Sequence, residues 1–373
     1  MKVALVHDYL REYGGAERVL EVLHEMFPEA PIYTSYYNPK GLGSHAQRIK
    51  SWDIKTSWMQ KLPFANFLIS PLRVLAPAAF ESFDLTEYDL VISSSSSYFA
   101  NAVITSPEAL HINYIHTPPR YLYGYATSYN YKKHWWTRIL GEIANHFLRL
   151  MDFEIAQRPD ILVANSKNIA SRIKKFYRRD SVVIYPPIDV EKFKIQNSKF
   201  KTASQNSKDY YLSLGRLVRG KGTEVIVEAC TKLNLPLKVV GSGPELERLK
   251  KIAGNNVEFL GLVSDEKLPE ILAGAKATIV ASEDEDFGIV PVESMAAGTP
   301  VIAVRAGGFL ETIIEGKTGE FFEKATPESL EKVLKEFNPE KYRSEDCIKQ
   351  AEKFSKEEFK KKMSDLIDKK LQG

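Results

Sequence analysis

Residues 277–304 read ATIVASEDEDFGIVPVESMAAGTPVIAV, and this stretch decides the fold. ATIVAS is a run of small and β-branched apolar residues, the composition of a buried strand. The acidic run EDED that follows has no place in a core and reads as a loop, FGIVPVE leads into a short helix, and GTPVIAV turns back into a second buried strand. Two buried strands joined through a helix must run parallel, in a sheet covered on both faces. Two carboxylates punctuate the unit, Glu285 and Glu293, eight positions apart. On one continuous helix they would stand about 12 Å apart along the axis, too far to share a proton. A loop carrying Glu285 and a helix carrying Glu293 would let both close on one extended ligand.

The same alternation extends in both directions. DYYLSLGRL, LPLKVVGSG and NVEFLGLV precede the stretch as strands with helices between them. In the first half, KVALV, PIYTSYY, YDLVISS, HINYIHT and DILVANS repeat the pattern, and GGAERVLEVLHEMF is an amphipathic helix after the first strand. The double proline Pro186-Pro187 is a natural stop, and NSKFKTASQNSKD is a polar surface loop. The expectation is an α/β chain of two Rossmann-like, doubly wound domains facing a central cleft. The first spans 1–187, a linker and surface loop 188–209, and the second domain 210–350. A C-terminal helix over 351–373, with Phe359, Met363, Leu366, Ile367 and Leu371 in a stripe, is expected to pack back toward the first domain. Ligands in such sheets sit beyond the carboxyl ends of the strands, so chemistry belongs in the strand-to-helix loops.

Bulk properties narrow the class. The 373 residues are 44% hydrophobic and 27% charged with a net charge of +3, a balance that does not argue for nucleic acid. Cys230 and Cys347 have neither metal-ligand spacing nor a disulfide framework, which points to a reducing cytoplasm. No apolar run reaches transmembrane length, and MKVALVHDYL is too short and too soon charged for a signal peptide. Two stretches suit the inner face of an anionic membrane. YKKHWWTRILGEIANHFLRLM carries Trp136, Ile139, Leu140, Ile143, Phe147 and Leu150 at helical spacing among basic residues, and IKTSWMQKLPFANFLISPLRVL has a similar mixture. Packing of the Trp136 stripe on the first sheet is the competing expectation.

Three loops of the second half carry candidate chemistry. In GRLVRGKG, Arg216 and Lys221 offer a guanidinium fork and a mobile ammonium, together able to neutralise a diphosphate; a solvated basic turn is the plain alternative. In GSGPE, Gly241 and Gly243 let backbone approach a ligand, but a dinucleotide fingerprint needs a third glycine where Leu246 stands. In EDFGIVPVE, free amides at the helix start suit an anion or a sugar hydroxyl, whereas a solvated acidic turn and a dipole-balancing Glu293 would be purely structural. In the first half, Gly14-Gly15 opens a helix after a strand, another anion-compatible turn. His116 ends INYIHT before a rigid Pro-Pro, where it can titrate near neutrality and donate to a hydroxyl or phosphate, or serve structure alone. The pentaserine Ser93–Ser97 reads as a tight loop.

Taken in order, Gly14-Gly15, HTPPRYL, GRLVRGKG, GSGPE and EDFGIVPVE resemble the retaining nucleotide-sugar glycosyltransferases of family 4, which have the GT-B fold. HDYL and IHTPPRYLYGY are similar, more narrowly, to bacterial O-antigen and polysaccharide mannosyltransferases. The resemblance implies that Glu285 binds donor-sugar hydroxyls and Glu293 the nucleotide ribose. It also implies that Arg216 and Lys221 hold the diphosphate and stabilise it as it leaves. Backbone at Phe287, Gly288 and Ile289 would meet the sugar and phosphate, Gly15 would close on the phosphate, and His116 would contact the sugar near its reacting carbon. Gly241, Gly243 and the loop at Val263 would seat the base. Catalytic roles thus fall to His116, Arg216, Lys221 and Glu285, with no metal and no cofactor.

The implied donor is GDP-mannose and the implied acceptor a polyprenyl-diphosphate-linked glycan or oligosaccharide. Alternatives are a UDP- or ADP-sugar enzyme, a nucleotide-sugar 2-epimerase and a non-catalytic sugar-nucleotide binder. The Glu-x7-Glu loop speaks against the epimerase, and the complete charged set against the binder.

Overall fold

The computed structural model describes residues 1–63, 71–125, 135–194 and 209–371. The chain divides into two units, Met1–Pro187 with Phe359–Gly373, and Ile188–Glu358. The first holds a seven-stranded sheet of β1 (Val3–His7), β2 (Ile32–Thr34), β3 (Ile54–Thr56), β4 (Leu90–Ser95), β5 (Leu110–Ile115), β6 (Ile161–Ala164) and β7 (Val182–Val183), ordered β3-β2-β1-β4-β5-β6-β7. Its strand pairs are all parallel. The order reverses between β1 and β4, where His7 lies level with Ser94. Successive side chains of β1 serve opposite faces, as a pleated strand requires: Leu5 joins the cluster under the helix Gly15–Met26, while Ala4 and Val6 join the cluster with Phe80 and Tyr98.

The second unit holds β8 (Tyr210–Leu214), β9 (Leu237–Val240), β10 (Val257–Gly261), β11 (Ala275–Val280), β12 (Val301–Val304) and β13 (Gly319–Phe322), ordered β10-β9-β8-β11-β12-β13 and again parallel. The reversal falls between β8 and β11. The stretch 277–304 is strand, loop, helix Ile289–Ala296 and strand β12, as its sequence pattern predicts.

Several expectations need correction. Ile188–Lys194 is no free linker: Ile188 bridges to Ser355, Lys356 pairs with Asp189 at 3.5 Å and Lys194 with Glu352 at 2.8 Å, so the segment is tied to the end of the second unit. Residues 195–208 of the expected loop lie outside the described residues. The division near the C-terminus comes at Phe359, inside the helix Lys356–Leu371, rather than at 351. Phe359, Met363 and Ile367 are buried in the first unit's core, Leu366 packs against it, and Leu371 is exposed. The second basic and aromatic stretch opens as β3, followed by a 3-10 turn at Trp58–Lys61 whose cap Ser57 accepts from the Met59 amide; its residues 64–70 lie outside the described residues. The pentaserine is mostly strand, with Ser93, Ser94 and Ser95 inside β4. Strand β13 has little pattern of its own; Gly319 lets it approach β12, where a Cβ would sit 2.0 Å from the Val301 carbonyl oxygen.

The helix Trp135–Ile155 exposes Ile139, Ile143, Phe147 and Leu150. Leu148 and Ile155, on the same helix, pack into the first unit's core. The expected stripe therefore does not pack on the sheet at those four positions. Residues 131–134 and the side chains of Trp136 and Leu140 lie outside the described residues. Among the described residues no helix is long and apolar enough to cross a membrane.

Candidate active site

In the second unit the site is built from loops at the carboxyl ends of the strands flanking the reversal point. The loop after β8 carries Arg216, which is exposed, and Lys221, which is half-buried. It closes through Gly222, a left-handed cap (φ 70°) of the helix Thr223–Lys232. A Cβ at Gly222 would lie 2.3 Å from the Ala281 carbonyl oxygen, so only glycine lets this loop meet the end of β11. Ser282 Oγ donates to the Gly220 carbonyl at 3.1 Å and fastens the two loops together. The result places Lys221 Nζ 2.8 Å from Glu285 Oε2, with side chains 33% and 20% exposed. The sequence assigned these residues separate tasks; the structure joins them in an ion pair.

The loop after β9 is bound to the loop after β8 by backbone. Gly215 N donates to the Val240 carbonyl at 3.0 Å, Leu217 N to Ser242 O at 2.9 Å, and Glu245 N to Leu217 O at 3.1 Å. Gly243 is needed for that fit, since a Cβ there would sit 2.2 Å from Leu217 O. Gly241 N donates to Gly261 O at 2.8 Å, which ties in the loop after β10, where Val263 follows the exposed Leu262. Glu285 itself is held from below: Gly308 N donates to its carbonyl at 2.9 Å, and Gly307 packs on the same peptide. Phe287 is buried, Gly288 caps the helix Ile289–Ala296 with φ 93°, and Ile289 is its first residue. Glu293 lies in that helix and is 4% exposed, so it is a buried carboxylate on the helix while Glu285 is on the loop. Arg216, Lys221, Gly241, Gly243, Val263, Glu285, Phe287, Gly288 and Ile289 thus line one edge of one sheet. The pairing that the spacing Arg216-x4-Lys221 does not disclose is the one with Glu285.

In the first unit Gly15 opens the helix Gly15–Met26, and Gly14 N donates to Glu17 Oε2 at 2.8 Å, the one half of a capping box that a glycine N-cap can make. His116 follows β5, half-buried; its amide donates to Ser95 O at 2.9 Å, and Asn165 Nδ2 donates to its carbonyl at 2.8 Å. Its Nε2 lies 2.8 Å from Ser94 Oγ. Burial, with His7 adding to it, pushes the His116 pKa down to about 3, so the ring is neutral rather than titrating near pH 7 as its sequence setting suggested.

Sequence reading missed Asp8. Its buried carboxylate accepts from the amides of Ser96, Ser97, Tyr98 and Ala100 and from Ser96 Oγ, at 2.8–3.0 Å, and so fixes the loop after β4. It also missed Ser94, His7 and Glu17, which lie in hydrogen-bonding sequence behind His116. The available signals were HDYL at a strand end and the glutamate three residues after Gly14.

Residues 13–192 match the family described as Glycosyltransferase Family 4, and residues 194–354 the family described as Glycosyl transferases group 1. Among curated relatives, an uncharacterized glycosyltransferase of Methanocaldococcus jannaschii is 30% identical over 191 residues, 49% of this chain and 51% of that protein. The sulfoquinovosyl transferase of Arabidopsis thaliana is 24% identical over 323 residues, 84% of this chain and 58% of that protein. The chain spans about half the length of the curated relatives it matches. Among solved structures, Anabaena HepE in complex with UDP-glucose superposes with a TM-score of 0.69 at 18% identity, over 99% of this chain and 100% of that one. The two parallel sheets with their reversal points are those of a GT-B fold, and the two family matches laid end to end make the chain a Glycosyltransferase Family 4 domain followed by a Glycosyl transferases group 1 domain.

Proposed function

We propose that the protein is a retaining glycosyltransferase that moves a hexose from a nucleoside-diphosphate sugar to a lipid-linked or oligosaccharide acceptor. The observation that carries this reading is the Lys221–Glu285 pair, set at the reversal point of the group 1 sheet with Arg216 on the same loop. A cation and a carboxylate in contact match the two ends of such a donor, diphosphate and sugar hydroxyls. Donor binding would draw Lys221 to the phosphates, leaving Glu285 to accept from the sugar. Arg216 and Lys221 would stabilise the charge that develops on the departing diphosphate, a role metal ions fill in other folds. With that charge held on one face, the departing phosphate would take the acceptor's proton and attack would come from the same face. Glu293 would hold the ribose, Gly15 the phosphate, and His116 the sugar.

HDYL and IHTPPRYLYGY favour GDP-mannose as donor and cell-surface polysaccharide as product. The HepE complex favours a second reading, UDP-glucose. The exposed Ile139, Ile143, Phe147 and Leu150, with Arg138 exposed beside them, support docking on the anionic inner face of a membrane, where a polyprenyl-linked acceptor would lie. The test offers the purified protein GDP-, UDP- and ADP-hexoses, reading thermal stabilisation and release of nucleoside diphosphate. One donor should stand out in both readouts; silence toward all three classes would defeat the reading.

A further inference from the structure

Four side chains of the first domain form a hydrogen-bonded line that ends on His116. Glu17 Oε1 lies 3.5 Å from His7 Nε2, His7 Nδ1 lies 3.1 Å from Ser94 Oγ, and Ser94 Oγ lies 2.8 Å from His116 Nε2. His7 and Ser94 are 2% and 0% exposed, so solvent does not compete for the bond between them. The other Glu17 oxygen is occupied by the Gly14 amide. Among the described residues, His116 Nδ1 has no protein partner.

The direction of each bond follows from the chemistry of the groups. An ionised carboxylate only accepts, so a His7 ring with one proton carries it on Nε2 and donates it to Glu17. His7 Nδ1 is then a lone pair and accepts from the Ser94 hydroxyl. Ser94 has one proton, spent on His7, so its oxygen accepts from His116, whose proton is therefore on Nε2. We infer that Glu17, His7 and Ser94 are positioning residues that fix the tautomer of His116 and leave its Nδ1 an acceptor, selecting a ligand hydroxyl at that point over a phosphate or carbonyl oxygen. Burial, which keeps the His116 ring neutral, acts in the same sense. The ligand part of this inference rests on the proposed function; the tautomer part does not.

A remote, nearly isosteric change tests the line. In Glu17→Gln the amide oxygen stays on the Gly14 amide, which turns the NH2 toward His7 Nε2. Every bond then reverses: His7 accepts at Nε2 and donates from Nδ1, Ser94 donates to His116 Nε2, and the His116 proton moves to Nδ1.

The readout is the long-range proton–nitrogen NMR spectrum of 15N-histidine-labelled full-length protein, with His116 assigned by loss of its signals in His116→Gln. Wild type should carry the His116 proton on Nε2 alone, and Glu17→Gln should move it to Nδ1. In a Ser94→Ala background, Glu17→Gln should leave His116 unchanged, because the line is cut. A proton on Nδ1 in the wild type, or no response to Glu17→Gln, overturns the proposal. Because the spectrum needs no donor, an inactive protein with the expected tautomer refutes only the proposed function. An active one with the wrong tautomer refutes only the line.

Discussion

Lys221→Met removes one charge and keeps most of the apolar stem, which separates a stability role from a chemical one. The Lys221–Glu285 contact is short, 2.8 Å, but its side chains are 33% and 20% exposed. A pair so placed contributes about 0.5–1 kcal/mol to folding. For a domain the size of Ile188–Glu358, that is a fall in Tm of roughly 2–4 °C at most. The effect on transfer should be much larger, because a cation aimed at a leaving diphosphate acts where charge develops. A loss of about 1.4–3 kcal/mol of transition-state stabilisation is a ten- to hundredfold fall in turnover. Since the charge grows only as the bond breaks, kcat should fall by more than KM rises. The assay is initial-rate release of nucleoside diphosphate from the nucleotide hexose that the donor panel selects, beside a thermal melt of the same sample. A folded variant turning over at the wild-type rate would refute the diphosphate role. A fall in Tm beyond about 10 °C would instead make the pair a structural element of the loop.

Arg216→Ala, on an exposed side chain, should lower turnover about tenfold to a hundredfold with an unchanged melt; a wild-type rate would remove Arg216 from the reaction. If Arg216 and Lys221 supply the cationic charge, as proposed, transfer should persist in excess EDTA, and complete loss restored by Mn²⁺ or Mg²⁺ would contradict that assignment. Gly307→Ala places a Cβ 2.3 Å from Glu285 O at a φ of 54°, so it should cost about 1–3 kcal/mol in a denaturant melt and lower activity by shifting Glu285; neutrality in both would deny the support described. His111 is buried beside Ser93, and burial first, then Arg158 and Arg179, pushes its pKa down to about 3. The unfolded chain therefore binds the extra proton between about pH 6.5 and 3, and stability is lost as pH falls through that window, by up to about 1.4 kcal/mol per pH unit. His111→Gln should flatten that dependence. The difference from wild type isolates His111 from Asp152, whose pKa burial raises to about 7 and which acts in the opposite sense. Co-sedimentation should require anionic vesicles and weaken with salt, and Phe147→Asp should abolish it; equal binding of the variant would place the contact elsewhere.

The alternation of buried strands and helices was legible because a strand covered on both faces must be apolar throughout, as ATIVAS and VIAV are. Short edge strands such as Ile54–Thr56 and Gly319–Phe322 escaped, since they take their conformation from a neighbour's backbone rather than from their own pattern. The separation of Glu285 on a loop from Glu293 on a helix was readable, because the acidic run and Gly288 both break the helix before it. The contact of Lys221 with Glu285 was not, because it depends on Gly222 meeting Ala281 and on Ser282 reaching Gly220, over 59 to 62 positions of chain. His116 was visible as a strand-end histidine, yet its neutral state follows from burial, with His7 adding to it, and its orientation from Ser94. Serine in a run of five gives no hint of which hydroxyl faces a ring.

The return of the last helix into the first domain has a consequence for the order in which the protein is made. Phe359, Met363 and Ile367 are core residues of a domain whose other core residues precede Pro187. The ribosome delivers the whole of Ile188–Glu358 before it delivers them. The second domain can therefore complete its sheet while the first, though begun earlier, still exposes the apolar ground that these three side chains will cover. A nascent chain arrested before residue 359 should hold a protease-resistant second domain and a sensitive first one, and the first domain finishes folding last.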